Sequence, residues 1–110
     1  METSNNYKTV EPEEFSKVVS SSGVNVLDVR TKDEYDSGHI KGAKNLDVTS
    51  PDFIKEAEEM LPKDVPLAVY CRTGKKSTMA SNMLSEDGYN IINLDGGITA
   101  WEAAGLPITK

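Results

Sequence analysis

The architecture of this chain is set by one stretch, PLAVYCRTGKKSTMASNMLSEDGYNIINL (66–94). It begins with the continuous apolar run PLAVYC (66–71), which is typical of a central strand buried on both faces. A helix is predicted over 77–88, because apolar residues recur there at helical spacing and a glycine follows as a stop signal. NIINL (90–94) then predicts another strand, so this stretch indicates a strand–loop–helix–strand unit.

The rest of the chain continues the same alternation. Strands are predicted at 7–10, 24–29 and 43–46, and helices at 11–23, 31–38, 50–61 and 96–105. Thr31 and Glu34 form a capping-box pattern, and Ser50 before Pro51 predicts a cap for the helix at 50–61. We therefore expect an α/β fold with a mostly parallel central sheet of about five strands, flanked by helices on both faces.

Length and composition narrow the class of protein. The 110 residues suit one domain, which we expect at 7–110 after a disordered N-terminus at 1–6. The net charge is −6 without a basic face, so nucleic acid is not an expected partner. No apolar run approaches the roughly 18 residues of a membrane span, so a membrane is not expected either. The first residues lack a secretory signal pattern, which favours a cytoplasmic protein.

The single cysteine and the single histidine limit the possible chemistry. One cysteine cannot form an internal disulfide, and these two residues cannot form a structural zinc site. We expect no metal site.

Cys71 lies where the sequence concentrates positive charge. It follows the most apolar predicted strand, and ligands in parallel α/β folds bind at the carboxyl ends of strands. Gly74 permits a tight loop whose N–H groups converge on one point, and the next helix directs its positive end there. Three cations follow within five residues: Arg72, Lys75 and Lys76. Such surroundings lower the pKa of a cysteine from about 8.5 to about 3.5–7.5, so the pattern predicts a thiolate nucleophile in an anion-binding loop.

Two other interpretations of Cys71 compete with this one. A free cysteine after a strand is often only a small buried apolar residue, but that leaves the cations unexplained. A phosphatase loop needs an arginine six residues after the cysteine to hold the phosphoryl oxygens, and this position is Ser77. The loop is therefore interpreted as shorter than a phosphatase loop, and a shorter loop is sufficient to enclose a cysteine persulfide.

The motifs together resemble the single-domain rhodanese-like sulfurtransferases. Four segments carry the resemblance, in this order: LDVRTKDEYDSGHIKGAKNL (27–46), VYCRTGKKS (69–77), the spaced residues Ala80, Leu84, Gly88 and Tyr89, and LDGGITAWEAAGLPI (94–108). A cell-cycle phosphatase group shares the fold but has a longer loop that ends in arginine. The resemblance covers roughly residues 7–108 and implies a rhodanese-like fold.

The resemblance also implies a reaction. Cys71 would take the outer sulfur of thiosulfate or another anionic donor, and a thiol or cyanide would accept it from the persulfide. Backbone N–H groups of residues 72–76 would hold the persulfide, and Arg72, Lys75 and Lys76 would bind the donor. No cofactor is implied. The substrate-binding residues are then Arg72, Thr73, Gly74, Lys75 and Lys76.

Five further residues are assigned structural support. Asp28 and Arg30 end a strand near the same sheet edge as Cys71. We expect Asp28 to cap a turn and Arg30 to form an ion pair with Glu34. The alternative is that Asp28 and Arg30 shape the floor of the pocket. His39 lies in a turn between two glycines and is expected to be hydrogen-bonded there, although it could act as a base. Ser77 marks the predicted start of the helix that follows the loop.

Three functions are compatible with this pattern. The first is an active sulfurtransferase or persulfide carrier. The second is a non-catalytic binding module on the same fold. The presence of Cys71 among three cations counts against it, because a binding module does not need a nucleophile. The third is a phosphatase or arsenate reductase, disfavoured by Ser77 and by the absence of a second cysteine.

Overall fold

A computed structural model describes residues 7–110, and the prediction made for residues 1–6 lies outside them. Strands and helices alternate through the whole described chain. They are β1 (Tyr7–Val10), α1 (Pro12–Val19), β2 (Asn25–Asp28), α2 (Lys32–Ser37), β3 (Lys44–Asn45), α3 (Phe53–Met60), β4 (Leu67–Tyr70), α4 (Lys75–Glu86), β5 (Ile91–Leu94) and α5 (Gly97–Ala103). All ten predicted elements are present and differ from the predictions only in their ends.

The five strands form one parallel sheet in the order β1-β5-β4-β2-β3. β4 lies in the middle, and all four of its residues are buried. A strand covered on both faces needs apolar side chains in both directions, which explains the continuous apolar run that predicted it. The α/β class and the parallel sheet are confirmed.

Each face of the sheet has its own apolar core. Leu67, Val69 and Cys71 point to the face covered by α3 and α4. Ala68 and Tyr70 point to the opposite face, where α1, α5 and the aromatic ring of Tyr35 in α2 pack. Side chains alternate along a strand, so Cys71 follows β4 on the α3–α4 face.

Two predicted helix starts were wrong by two or three residues. The helix predicted from Ser50 begins at Phe53 with Asp52 as its N-cap, because Ser50 and Pro51 belong to a preceding turn. The helix predicted from Ser77 begins at Lys75, with Gly74 as its N-cap. The second correction places two of the lysines in the first helical turn.

No helix between residues 7 and 110 combines the length and the apolar character that a membrane crossing requires.

Candidate active site

A cavity opens where the chain leaves the carboxyl ends of β2 and β4. These strands are neighbours, and the register pairs Asp28 with Tyr70. The helix after β4 packs on one face of the sheet, and the helix after β2 packs on the other. Two loops that diverge to opposite faces leave a crevice between them, where parallel α/β sheets bind their ligands. The cavity measures about 210 Å³ and is lined by Arg30, Glu34, Cys71, Arg72, Thr73, Lys75 and Lys76.

Two backbone amides converge on the sulfur of Cys71. The N–H groups of Gly74 and Ser77 each donate to its Sγ atom at 3.1 Å. The residue is 2% exposed, so these donors act where little water competes with them. Both donors are aimed at one atom, so the loop forms a cradle for a sulfur that accepts hydrogen bonds. Gly74 belongs to the residues predicted to supply such donors, whereas the amide of Ser77 extends the set by one residue.

Gly74 gives the loop its curvature. Its φ of +102° lies in the left-handed region, which glycine adopts without strain. This conformation turns its N–H towards the sulfur while its carbonyl starts α4 by accepting from the N–H of Thr78 at 3.0 Å. The hydroxyl of Thr78 donates to the same carbonyl at 2.8 Å. Gly74 therefore contacts Cys71 through its N–H and the start of α4 through its carbonyl.

The start of α5 supports the loop from its other side. The N–H of Ile98 donates to the carbonyl of Cys71 at 2.9 Å, and the N–H of Thr99 donates to that of Arg72 at 3.1 Å. A Cβ atom at Gly97 would overlap the carbonyl of Arg72 and lie 2.6 Å from the carbonyl oxygen of Cys71. Gly97 thus permits a close approach that any side chain would block.

The positioning role of Gly97 was missed in the sequence. Gly96 is the N-cap of α5, and Gly97 is the first residue of that helix. A usable signal was present, since the paired glycines follow β5 and parallel neighbours end at the same sheet edge. The sequence pattern does not show that β5 lies beside β4, and this neighbourhood is what brings Gly97 to the Cys71 loop.

The cavity wall carries an excess of positive charge. Arg72, Lys75 and Lys76 are exposed and line the cavity together with one carboxylate, that of Glu34. The first turn of α4 contains no acidic residue. Lysines at a helix N-terminus are unfavourable towards the helix dipole, and an anion in the cavity would offset this cost.

Arg30 forms a buried ion pair with Asp28. Its Nη2 lies 2.7 Å from Oδ2 of Asp28 and donates to the carbonyl of Gly38, also at 2.7 Å. Burial opposes the charge of Arg30, but the hydrogen bonds and the charge of Asp28 outweigh it and raise the pKa of the guanidinium group. The N–H of Arg30 also donates to Asp28 Oδ1 at 2.9 Å, so Asp28 caps the turn as predicted.

The predicted ion pair of Arg30 with Glu34 was wrong, because Asp28 is the closer carboxylate and takes the guanidinium. Glu34 instead accepts from the N–H and the hydroxyl of Thr31, which confirms the capping box. Since Arg30 and Glu34 also line the cavity, both residues combine structural support with a place in the wall.

His39 does not line this cavity. Its Nδ1 lies 2.9 Å from the carbonyl oxygen of Tyr35, and its ring stacks on that of Tyr35 with centroids 3.9 Å apart. Its backbone forms an antiparallel bridge with Thr109. His39 therefore connects α2 to the end of the chain, as expected of a hydrogen-bonded turn histidine.

The buried position of Ser77 separates this loop from one built for phosphoryl transfer. Its side chain is fully buried, and its hydroxyl donates to the carbonyl of Gly74 at 3.3 Å. A neutral, buried side chain at this position cannot hold phosphoryl oxygens as a guanidinium would. Within residues 7–110, no group of three His, Cys, Asp or Glu side chains is arranged to bind a metal ion.

Comparisons with known proteins agree with this geometry. The family model of the rhodanese-like domain matches residues 11–104. The chain is 35% identical to thiosulfate sulfurtransferase GlpE of Pseudomonas fluorescens over 92 residues, which cover 82% of this chain and 81% of that protein. It is 34% identical to the protein HIGH ARSENIC CONTENT 1, mitochondrial, of Arabidopsis thaliana over 114 residues, which cover 90% of this chain and 68% of that one.

A solved structure has the same architecture. The rhodanese-related protein of Thermoplasma volcanium superposes with a TM-score of 0.81 at 29% sequence identity, covering 94% of this chain and 98% of the other. The family model, the curated relatives and this fold agree, so the chain belongs to the rhodanese-like domain family of sulfurtransferases.

Proposed function

We propose that this protein is a sulfurtransferase that carries sulfane sulfur as a persulfide on Cys71. The observation that carries the proposal is the pair of N–H donors, from Gly74 and Ser77, aimed at the buried Sγ. A persulfide ends in a negatively charged sulfur, and a cavity lined mainly by cations suits that charge.

The reaction has two half-reactions. The Cys71 thiolate attacks the outer sulfur of thiosulfate, the S–S bond of the donor breaks, and its electron pair leaves with sulfite. A thiolate or cyanide then attacks the outer sulfur of the Cys71 persulfide, and the electron pair of that S–S bond returns to Cys71. Each step exchanges one anion for another, so no external oxidant or reductant is needed. Splitting the transfer in this way is covalent catalysis with ping-pong kinetics.

The residues around the thiol have separate roles in this proposal. Arg72 and Lys75 bind the anionic end of the donor, with assistance from Lys76. The backbone at Thr73 and Gly74 encloses the outer sulfur. The cavity of about 210 Å³ is smaller than the roughly 300–1,000 Å³ typical of sites for drug-sized ligands. It therefore favours a compact donor, or one reactive group that protrudes from a larger partner.

A non-catalytic binding module is the competing function. A binding module needs a surface but no activated thiol, and the donors at Cys71 would then have no purpose. The test is incubation with thiosulfate followed by intact-mass measurement. Wild-type protein should gain one sulfur atom and lose it again with cyanide, which forms thiocyanate.

Cys71→Ser is the matched variant for this experiment. It keeps a side chain of similar size and should keep the far-ultraviolet circular dichroism of the wild type, but it should gain no sulfur. Cys71 is the only cysteine, so an adduct on wild type can be assigned without further mapping. A wild-type mass that stays unchanged with thiosulfate and with a persulfide donor would rule the proposal out.

We also propose the cytoplasm as the compartment of this protein. A single nucleophilic thiol remains reduced where glutathione and thioredoxin systems operate, and the mechanism depends on that reduced thiol. Detection of the protein in a membrane or secreted fraction after cell fractionation would contradict this proposal.

A further inference from the structure

The exposed surface around the cavity mouth differs in charge from the rest of the protein. The protein has 18 acidic residues, and none lies between Asp64 and Glu86. This interval contains Arg72, Lys75 and Lys76, all of them exposed. An otherwise acidic protein therefore has a cationic surface at its candidate active site.

One exposed apolar side chain adjoins these cations. Met79 is 52% exposed on α4. It follows Lys75 by four residues and Lys76 by three, so it shares their side of the helix at a distance of about 6 Å along the axis. Methionine adapts its shape to partners and is frequent at binding surfaces. We define Arg72, Lys75, Lys76 and Met79 as the mouth surface.

The size of the cavity explains why such a surface would be needed. Cys71 is 2% exposed within a space of about 210 Å³. A small anion can enter this space completely. A protein substrate can insert only its reactive sulfur and must find its remaining contacts outside, on the mouth surface.

We propose that the mouth surface docks an acidic protein whose exposed cysteine exchanges sulfur with Cys71. The proposal rests on the proposed function and names the substrate class for that site. In the exchange, a partner thiolate attacks the outer sulfur of the Cys71 persulfide, the S–S bond at Cys71 breaks, and the electron pair returns to Cys71. The partner leaves as a persulfide, and its thiol proton has been released to solvent.

Charge complementarity identifies the partner as acidic. Opposite potentials across an interface accelerate association and discourage partners of the wrong charge. Cationic partners would be repelled by the mouth surface, whereas acidic partners would be repelled by the remainder of this protein and attracted here. The charge distribution therefore selects both the partner and its orientation, with its cysteine directed at the cavity.

The test uses two synthetic peptides as acceptors from the preloaded persulfide. Both have about ten residues, long enough in extended form at ~3.3 Å per residue to reach from the cavity to Met79. Each has one central cysteine flanked by leucines; one carries Asp and Glu elsewhere, and the other carries Lys. We expect kcat/KM to be at least about tenfold higher for the acidic peptide, with a difference that shrinks as salt screens the charges.

Met79→Ser tests the apolar part without changing charge, and Met60→Ser is its matched control. Met60 is 44% exposed and is the last residue of α3. Lys63, three residues later, pairs with Asp87. Asp87 is the C-cap of α4 and so lies at the end of that helix away from Cys71. Met79→Ser should raise KM for the acidic peptide by about fivefold and leave the thiosulfate and cyanide rates unchanged. Met60→Ser should change neither. Equal kcat/KM for both peptides, or equal effects of both substitutions, would overturn the proposal.

A binding measurement separates this proposal from the proposed function. The Cys71→Ser variant and peptides with serine in place of cysteine cannot transfer sulfur, but fluorescence anisotropy can still compare their affinities. Preferential binding of the acidic peptide, weakened by Met79→Ser, supports docking even if Cys71 never accepts sulfur. Absence of that preference rejects docking even if thiosulfate loads Cys71 normally.

Discussion

The N–H of Ser77 donates to the Sγ of Cys71 at 3.1 Å across a six-residue separation in sequence. Ser77 lies in the first turn of α4, where backbone N–H groups have no partner within the helix. The contact gives one of these N–H groups a partner and gives the sulfur a hydrogen-bond donor at the same time. The start of α4 and the position of the Cys71 sulfur therefore depend on each other.

Removal of this single donor should slow the chemistry. Ser77→Pro eliminates the N–H, and because Ser77 is the third residue of α4, this removes no hydrogen bond within the helix. We expect the rate of sulfur loading from thiosulfate to fall by about a hundredfold, similar to the loss of one donor to a developing anion in other enzymes. The rate of alkylation of Cys71 by iodoacetamide at neutral pH should fall with it.

Ser77→Ala is the control for that substitution. It keeps the N–H and removes only the hydroxyl, whose hydrogen bond to Gly74 is 3.3 Å long. Its loading rate should stay within about threefold of the wild type, because the net contribution of one such hydrogen bond is small. Equal losses in both variants would show that the side chain, and not the amide, sets the reactivity. Circular dichroism checks that each variant is folded.

Gly97→Ala should disturb the loop and the fold together. The new Cβ would overlap the carbonyl of Arg72, and the φ of +63° would be strained for alanine. Gly105→Ala is the matched control, because its φ is +81° and nothing lies within 4 Å of the added carbon. Gly105→Ala should lower the free energy of unfolding by about 1 kcal/mol. Gly97→Ala should cost about 2 kcal/mol more, because overpacking adds to the same backbone strain.

Urea unfolding measures both free energies, and thiosulfate loading measures the consequence for the site. Only Gly97→Ala should slow the loading. Equal free energies for the two variants would mean that the close approach of α5 to the loop contributes nothing.

Loss of Asp28 should be costly because its partner is buried. Asp28→Asn leaves the guanidinium group of Arg30, which is 6% exposed, without its counter-charge. Breaking one side of a buried ion pair costs about 3–5 kcal/mol. Asp36→Asn breaks the pair with Lys32, in which both side chains are largely exposed, and should leave the urea midpoint unchanged. Similar midpoints for the two variants would contradict this assignment.

The carboxylate of Asp47 should make part of the stability pH-dependent. A hydrogen bond from the hydroxyl of Thr49 lowers the pKa of Asp47, with smaller contributions from the N–H of Thr49 and the charge of Lys76. Because its pKa is lower in the folded state, the ionised carboxylate contributes to the free energy of unfolding. This contribution is complete above the unfolded pKa of about 3.9 and is lost as the pH falls through the folded pKa. Thr49→Val should therefore be less stable than wild type near neutral pH, and this difference should disappear in acid.

Urea unfolding at several pH values tests this assignment. Thr99→Val is the control, since Thr99 is an exposed residue on α5, and its difference from wild type should not vary with pH. A Thr49→Val difference that persists at low pH would mean that the hydroxyl acts through something other than the ionised carboxylate.

Local patterns predicted most of the architecture. The apolar run at 66–71 is continuous and short, whereas apolar residues in the stretch after it recur at helical spacing. Length and spacing together distinguish the buried strand from the helix. Helix ends were less accurate, as at Ser50, because a turn beginning with Ser and Pro offers the same capping groups as a helix does. The start of α4 was placed two residues late because Gly74 acts as an N-cap through its backbone and without a side-chain hydrogen bond.

The residues of the candidate site also fall into those that local sequence patterns predict and those that they do not. Cys71, Gly74 and the three cations adjoin each other in sequence, so their convergence follows from one loop and one helix. Arg30, Glu34 and Gly97 reach the same place through β2, α2 and α5. Their contributions depend on which strands are neighbours, and periodicity contains no information about strand order.

The amino-acid sequence alone determined the alternation of strands and helices, the location of a thiol at the end of the most buried strand, and the positive charge beside it. These properties are local, because they arise from the size, polarity and charge of residues within one or two turns of each other. Tertiary structure decided that β4 lies between β2 and β5. That order brings the Asp28–Arg30 pair and the glycine at 97 close to Cys71. Contacts between residues far apart in the chain form only when the packed sheet brings their strands together.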